Sequence, residues 1–278
     1  MARIIGGIGS SHGPSIGMAW DKGLQQEPQW APVFDGYQPA RHWLEAERPD
    51  LLVIFYNDHM NRFFFDAYPT FALGVSDSHP QADEGWGKRD LPDLPGHAKF
   101  SWHFAQSLIE DEFDPTICQE MTVDHGILSV LPLLTDNRWP APLVPLAANV
   151  IQHPIPTPRR FFRLGQAIRH AVESYPEDLR VLVVATGGMS HQLHGERFGF
   201  INPDWDNEFM DRLETDPQSL VALRHHDYME RGGAESVEMI MWLAMRGALG
   251  DKVRRVHRHY YAPMLTGYGL VVFESTSH

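Results

Sequence analysis

Three stretches of this chain pair a short, uninterrupted apolar run with a histidine just beyond its end, and no other feature restricts the fold as much. Leu51–Tyr56 (LLVIFY) breaks into Asn57-Asp58-His59. Residues 3–8 (RIIGGI) run into Gly9-Ser10-Ser11-His12, and residues 180–185 (RVLVVA) run into Thr186-Gly187-Gly188-Met189-Ser190-His191. Apolar runs of this length fit strands buried on both faces, as in parallel sheets covered by helices. Open α/β sheets place their ligand sites just past the carboxyl ends of such strands. If the three strands are parallel, three imidazoles share one rim. A single loop histidine is ordinarily no more than that, but three in the same structural position predict a site.

The rest of the chain alternates in the same way. Helical periodicity is read at residues 40–47, 100–110, 161–174, 206–213, 219–230 and 234–249, and strands at 70–75, 143–150 and 267–273. The expectation is an α/β fold: a central, mostly parallel or mixed sheet flanked by helices, with the active site at the carboxyl ends of its strands. No repeat, low-complexity tract or linker is visible, so residues 1–278 are read as a single catalytic domain. The loop after His12 lacks the Gly-Lys-Ser/Thr ending of a phosphate loop. The stretch from Asp83-Glu84-Gly85-Trp86-Gly87 to Pro95-Gly96 is long and rich in glycine, proline and charge, which marks a functional loop.

A formal charge of −13 and a pI near 5.6 argue against nucleic acid or an anionic membrane as partner. No apolar run approaches the roughly 20 residues of a membrane span, and the N-terminus enters a strand without a signal-peptide pattern. One cysteine, Cys118, excludes a disulfide framework or a cysteine-based metal cluster. These features predict a soluble cytoplasmic protein. Its 16 histidines suggest metal or proton chemistry.

Two histidines hold a metal poorly without a third ligand, and a carboxylate is the common complement for iron. Glu238 is the only charged residue from Val237 to Met245 and shares a helical face with Ala234, Met241, Trp242 and Met245. A lone carboxylate on a buried face is costly unless it is paired or coordinates a metal. Glu235 competes, but in a first turn the helix dipole alone favours it. The plain alternative is that Glu238 pairs with a core arginine.

At this point the residues resemble a family. Gly9-Ser10-Ser11-His12, Tyr56-Asn57-Asp58-His59, Asp83-Glu84-Gly85-Trp86-Gly87, Asp124-His125-Gly126, Thr186-Gly187-Gly188-Met189-Ser190-His191-Gln192 and Val237-Glu238 with Met241-Trp242 look like the catalytic subunit of protocatechuate 4,5-dioxygenase. That is the class III, non-haem Fe(II) extradiol dioxygenase family, which also holds gallate and methylgallate dioxygenases. The resemblance implies Fe(II) bound by His12, His59 and Glu238, with open positions for a catecholic acid and O2. It implies that His191 is the acid–base group and that His125 hydrogen-bonds the substrate. Asn57 and Asp58 are read either as supports of the ligands or as a simple turn. The segment from Pro263 to Tyr268, Thr266 included, falls where family members differ and read ring substituents. His194, His225, His226, His257 and His259 match no motif. Relatives close the site with a small second subunit or an added domain, which implies such a partner or a homodimer here. Trp86, Tyr260, Tyr261 and Tyr268 are candidates for the docking patch.

The leading expectation is therefore ring opening of a catecholic acid such as protocatechuate to a hydroxymuconic semialdehyde, with gallate or 3-O-methylgallate as alternative substrates. A zinc hydrolase with the same ligands and a non-enzymatic metal-binding relative are the alternatives from other classes.

Overall fold

The apolar runs become the middle of one mixed sheet. A computed structural model describes residues 1–276. Its strands are β1 (Arg3–Ser10), β2 (Leu51–Tyr56), β3 (Phe71–Gly74), β4 (Ser78–His79), β5 (Leu94–Pro95), β6 (Thr116–Cys118), β7 (Leu143–Ala148), β8 (Arg180–Thr186), β9 (Val253–Tyr261) and β10 (Tyr268–Ser275). Eight of them form one sheet in the order β6-β3-β7-β2-β8-β1-β10-β9, while β4 and β5 make a separate two-stranded ribbon. Strands β7, β2, β8 and β1 run parallel. The outer strands β3 and β10 pair antiparallel to this block.

Side-chain alternation explains why the central runs are apolar throughout. Along β2, Leu51, Val53 and Phe55 enter one core while Leu52, Ile54 and Tyr56 enter the other. Helices Ala98–Glu110, Pro158–Glu173, Pro203–Thr215 and Trp242–Ala248 cover the first face. Helices Pro14–Asp21 and Ala31–Glu47 and the short helices His125–Leu128 and Leu131–Thr135 cover the second.

Several boundaries differ from the sequence expectation. The single helix expected at 234–249 is a 3-10 helix, Ala234–Met241, followed by the α-helix Trp242–Ala248. Near three residues per turn, Glu235, Glu238 and Met241 align, so Glu238 keeps Met241 on its face while Glu235 takes the place expected for Ala234. The helix expected at 219–230 is broken into Pro217–Val221 and His225–Gly232, because the backbone N–H of Arg224 donates to Asp227 and starts a new helix there. The helix expected at 40–47 begins earlier, at Ala31, with Pro39 inside it. Strand β9 gave no apolar signal because it is an edge strand carrying Arg254, Arg255, His257, Arg258 and His259.

Trp242 locks this scaffold to the candidate site. Its indole N–H donates to the Gly187 carbonyl at 3.3 Å, and its ring meets Phe209 edge-on at 6.0 Å. It lies so close to Gly9 that a Cβ there would sit 2.5 Å from the ring. We expect Trp242→Ala to cost about 3–5 kcal/mol, the usual range for a buried aromatic truncation. Urea denaturation measures it, and a loss below about 1 kcal/mol would show that the pocket collapses around the missing ring.

Candidate active site

The parallel block brings the three histidine loops to one edge. His12 follows β1, His59 follows β2 and His191 follows β8, and these strands are adjacent in the sheet. Because β10 is antiparallel to β1, its starting end lies at the same edge. Thr266 just before it forms an isolated antiparallel bridge with His191.

Four imidazoles there share one arrangement: Nδ1 is tethered, which turns Nε2 inward. His12 Nδ1 is 2.8 Å from Thr186 Oγ1. His59 Nδ1 is 3.1 Å from Asp124 Oδ2, and the His59 backbone N–H donates to that oxygen at 2.6 Å. His125 Nδ1 lies 2.5 Å from Glu84 Oε2, and its backbone N–H donates to Glu84 Oε1 at 2.9 Å. His191 Nδ1 donates to the Met189 carbonyl at 2.7 Å. For His59, His125 and His191 the partner only accepts, so Nδ1 carries the hydrogen and the neutral ring keeps its lone pair on Nε2.

Glu238 closes the cluster. Its Oε2 lies 3.2 Å from His12 Nε2 and accepts from the Gly188 N–H at 2.7 Å, and its Oε1 is 3.5 Å from Asn57 Nδ2. Asn57 Nδ2 is also 3.0 Å from His59 Nε2. No arginine pairs with Glu238 among the described residues. Glu235 is held elsewhere, accepting from the Leu193 N–H and pairing with His194. The double glycine makes this approach possible: Gly187 has φ of 144°, and a Cβ on Gly188 would lie 2.5 Å from His191 Cε1 and 3.1 Å from Glu238 Oε2.

Burial lowers the pKa of His12 to about 4, against the pull of Glu238. Burial also opposes a charge on His59, but Asp124, Glu238 and Glu84 outweigh it and raise the pKa to about 9. The Glu238 carboxyl resists burial too, yet His12, His191 and His59 hold it well below the usual carboxylate range. A neutral His12 thus faces an ionised Glu238 at 3.2 Å, where two lone pairs repel unless a proton or a metal ion lies between them. The donor atoms of His12, His59 and His125 fall within 4.8 Å of one another. The cluster can hold a metal ion, and its supported nitrogen and oxygen donors suit one.

The sequence reading missed Asp124 and Glu84 as supports. Asp124 is fully buried, fixes His59 and caps the short helix that starts at His125 by accepting from Gly126. An aspartate before a helix is a visible capping signal, but its bond to a histidine 65 positions away is not. Asp206 was missed too: it accepts from Ser190 N–H, Ser190 Oγ and Tyr260 OH, and so braces the His191 loop. The Asn57-Asp58 ambiguity resolves by residue. Asp58 caps the backbone of Asn61, Arg62 and Phe63, a turn role, while Asn57 faces the cluster.

The expected aromatic docking patch is not present as such. Tyr268 is buried with its hydroxyl on Ser15, and Tyr260 is half-buried on Asp206; Trp86 alone is widely exposed, at 66%. His225 and His257 contact the Pro156 and Gly36 carbonyls, His226 pairs with Glu230, and His259 lies in β9, all outside the cluster.

Fold and site together define an α/β protein with a metal-capable cluster of His12, His59 and His125 at the carboxyl rim of its sheet, with Glu238 against His12. Residues 6–272 match the family model described as the catalytic LigB subunit of aromatic ring-opening dioxygenase, and the chain belongs to that family. It is 50% identical over 196 residues to a gallate dioxygenase of Pseudomonas putida, a match covering 70% of this chain and 58% of that protein. It is 26% identical over 313 residues to a 2,3-dihydroxyphenylpropionate/2,3-dihydroxicinnamic acid 1,2-dioxygenase of Photorhabdus laumondii, covering 95% of each. An uncharacterised Escherichia coli K12 protein of known structure shares the fold, with a TM-score of 0.56 at 15% identity, over 96% of this chain and 99% of that one. No helix among the described residues is long and apolar enough to cross a membrane.

Proposed function

We propose that this chain is an Fe(II)-dependent extradiol dioxygenase acting as one catalytic unit on a catecholic acid. Both atoms of O2 enter the substrate, the ring bond beside the diol breaks, and a ring-opened hydroxymuconic semialdehyde, or its oxalomesaconate-type analogue, leaves. The observation that carries the reading is the inward-facing set of His12, His59 and Glu238, each held from behind by a second group. Fe(II) held by His12, His59 and Glu238 would supply the redox and Lewis-acid chemistry that lets a catechol react with O2. His191 takes a proton from a substrate hydroxyl at Nε2 and returns it to oxygen, a role suited to an imidazole near neutral pH. His125 hydrogen-bonds the substrate through its own Nε2. Thr266, bridged to His191, lies beside the ring substituents.

Gallate is the first substrate to test, because the half-identical relative is a gallate dioxygenase; protocatechuate is the second. Aerobic incubation with each acid and Fe(II), with O2 uptake followed directly, tests the proposal. Full turnover by protein containing zinc alone would overturn it. A lid over the open coordination face is needed to keep water out. A small second subunit or a homodimer supplies it in this reading, and sedimentation of the active species distinguishes them.

The two histidine pKa values give a pH dependence. At pH 7 His12, at about 4, is already neutral, while His59, at about 9, is protonated in the metal-free chain. Metal uptake at pH 7 therefore releases about one proton, from His59, and apparent affinity rises about tenfold per pH unit towards 9. Calorimetry in buffers of different ionisation enthalpy measures that proton. A value near zero would show that His59 is neutral before the metal arrives.

A further inference from the structure

We infer that Asp206 is a positioning residue: it sets the spacing between His191 and Thr266, and through that spacing decides which ring substituents the site accepts. The inference rests on the dioxygenase reading and extends it to a residue outside the cluster. Asp206 stands in the first turn of helix Pro203–Thr215 and is fully buried. Its carboxylate accepts from three neutral donors. Oδ1 takes the Ser190 N–H at 2.9 Å, while Oδ2 takes the Ser190 hydroxyl at 2.6 Å and the Tyr260 hydroxyl at 2.8 Å. Burial pushes its carboxyl pKa up, and the bonds from Ser190 and Tyr260 pull it back. A buried ionisable group is costly, and a cap for Ser190 alone needs none. What a carboxylate adds is acceptance at both oxygens, which no amide offers.

Those donors belong to two different segments, and each segment carries a residue proposed to meet the substrate. Ser190 precedes His191; its hydroxyl also accepts from the Asn202 N–H at 2.7 Å, and its carbonyl accepts from the Gly267 N–H at 3.0 Å. Tyr260, near the end of β9, anchors the start of the connection that leads through Thr266 to β10. The bridge between His191 and Thr266 lies between these two anchors.

Gly267 shows how closely the two segments are drawn together. A Cβ there would lie 2.4 Å from Asp206 Oδ2 and 2.9 Å from the Tyr260 hydroxyl. The carbonyl of the same glycine accepts from Ser11 Oγ at 3.1 Å, one residue from His12. A shift of the Asp206 carboxylate therefore moves His191 and Thr266 relative to each other and to the His12 loop. Its two arms separate by role. The Ser190 arm holds the proposed acid–base group, and the Tyr260 arm holds the segment beside the ring substituents.

Gallate and protocatechuate, which differ by one ring hydroxyl, are the probes. Tyr260→Phe cuts one arm and leaves both Ser190 bonds standing. It should fold and bind Fe(II) like the parent, yet change the gallate-to-protocatechuate ratio of kcat/KM by about fivefold or more. The ratio of the two dissociation constants, from anaerobic calorimetry with and without Fe(II), should move the same way. Asp206→Asn puts a donor where an acceptor stood. It should shift the ratio at least as far and lower kcat about tenfold, short of the roughly hundredfold that a 1 Å misplacement can cost. A purely structural Asp206 predicts lower melting temperatures with both ratios intact. Unchanged ratios in Tyr260→Phe overturn the inference whatever the melting temperature does, and they do so even if Asp206→Asn fails to fold. If neither acid consumes O2 with Fe(II), the dioxygenase reading fails, while the binding ratio in Tyr260→Phe still decides the positioning role.

Discussion

Glu238→Gln is expected to fold and to lose the iron proposed for this site. The glutamine oxygen can still accept from Gly188 N–H, so the buried donor keeps its partner and the local structure stands. What disappears is the negative charge opposite His12 and His59, the feature that draws a divalent cation to this point. Losing a group that merely supports a ligand typically costs about 10–100-fold in metal affinity, and losing a ligand exceeds that. We expect retained iron, measured by metal analysis after reconstitution, to fall below detection, and turnover with it. His12→Ala and His59→Ala should behave alike. Glu235→Ala is the control: its carboxylate serves Leu193 and His194, so iron content should match the parent. Iron retained in Glu238→Gln but lost in Glu235→Ala would transfer the ligand role to the other carboxylate.

His191→Ala should give the opposite signature, full iron with slow chemistry. A Cβ on Gly188 would meet both His191 Cε1 and Glu238 Oε2, so the two side chains flank that glycine, and His191 Nδ1 is committed to the Met189 carbonyl. In the proposed reading its removal deletes a proton acceptor without deleting a ligand. The loss of one acid–base group costs about 10²–10⁴ in rate, read as kcat for gallate or protocatechuate at saturating O2. His125→Phe separates the remaining roles. As a substrate-binding group, its loss raises KM and leaves iron in place. As a metal ligand, which the 4.8 Å clustering with His12 and His59 allows, its loss empties the site. Iron-free His191→Ala protein would refute the acid–base assignment.

The sequence alone determined the parts of this protein whose physics is local. The apolar runs ending at Tyr56, Ile8 and Ala185 had to be strands buried on both faces, and their histidines had to emerge at one edge once the strands were parallel. Glu238 stood out because a lone carboxylate in an apolar stretch needs a partner. Tertiary structure decided everything that depended on residues far apart in the chain. Periodicity placed Glu238 on an α-helical face, but packing wound that segment as a 3-10 helix and delivered the carboxylate by another route. Strand β9 was invisible because the charges that protect an edge strand erase its apolar pattern. Asp124, Glu84 and Asp206 acquire their roles only through His59, His125 and Ser190, lying 65, 41 and 16 positions away. A hydrogen bond depends on where atoms finish in space, and sequence patterns record only which face of its own element a side chain takes.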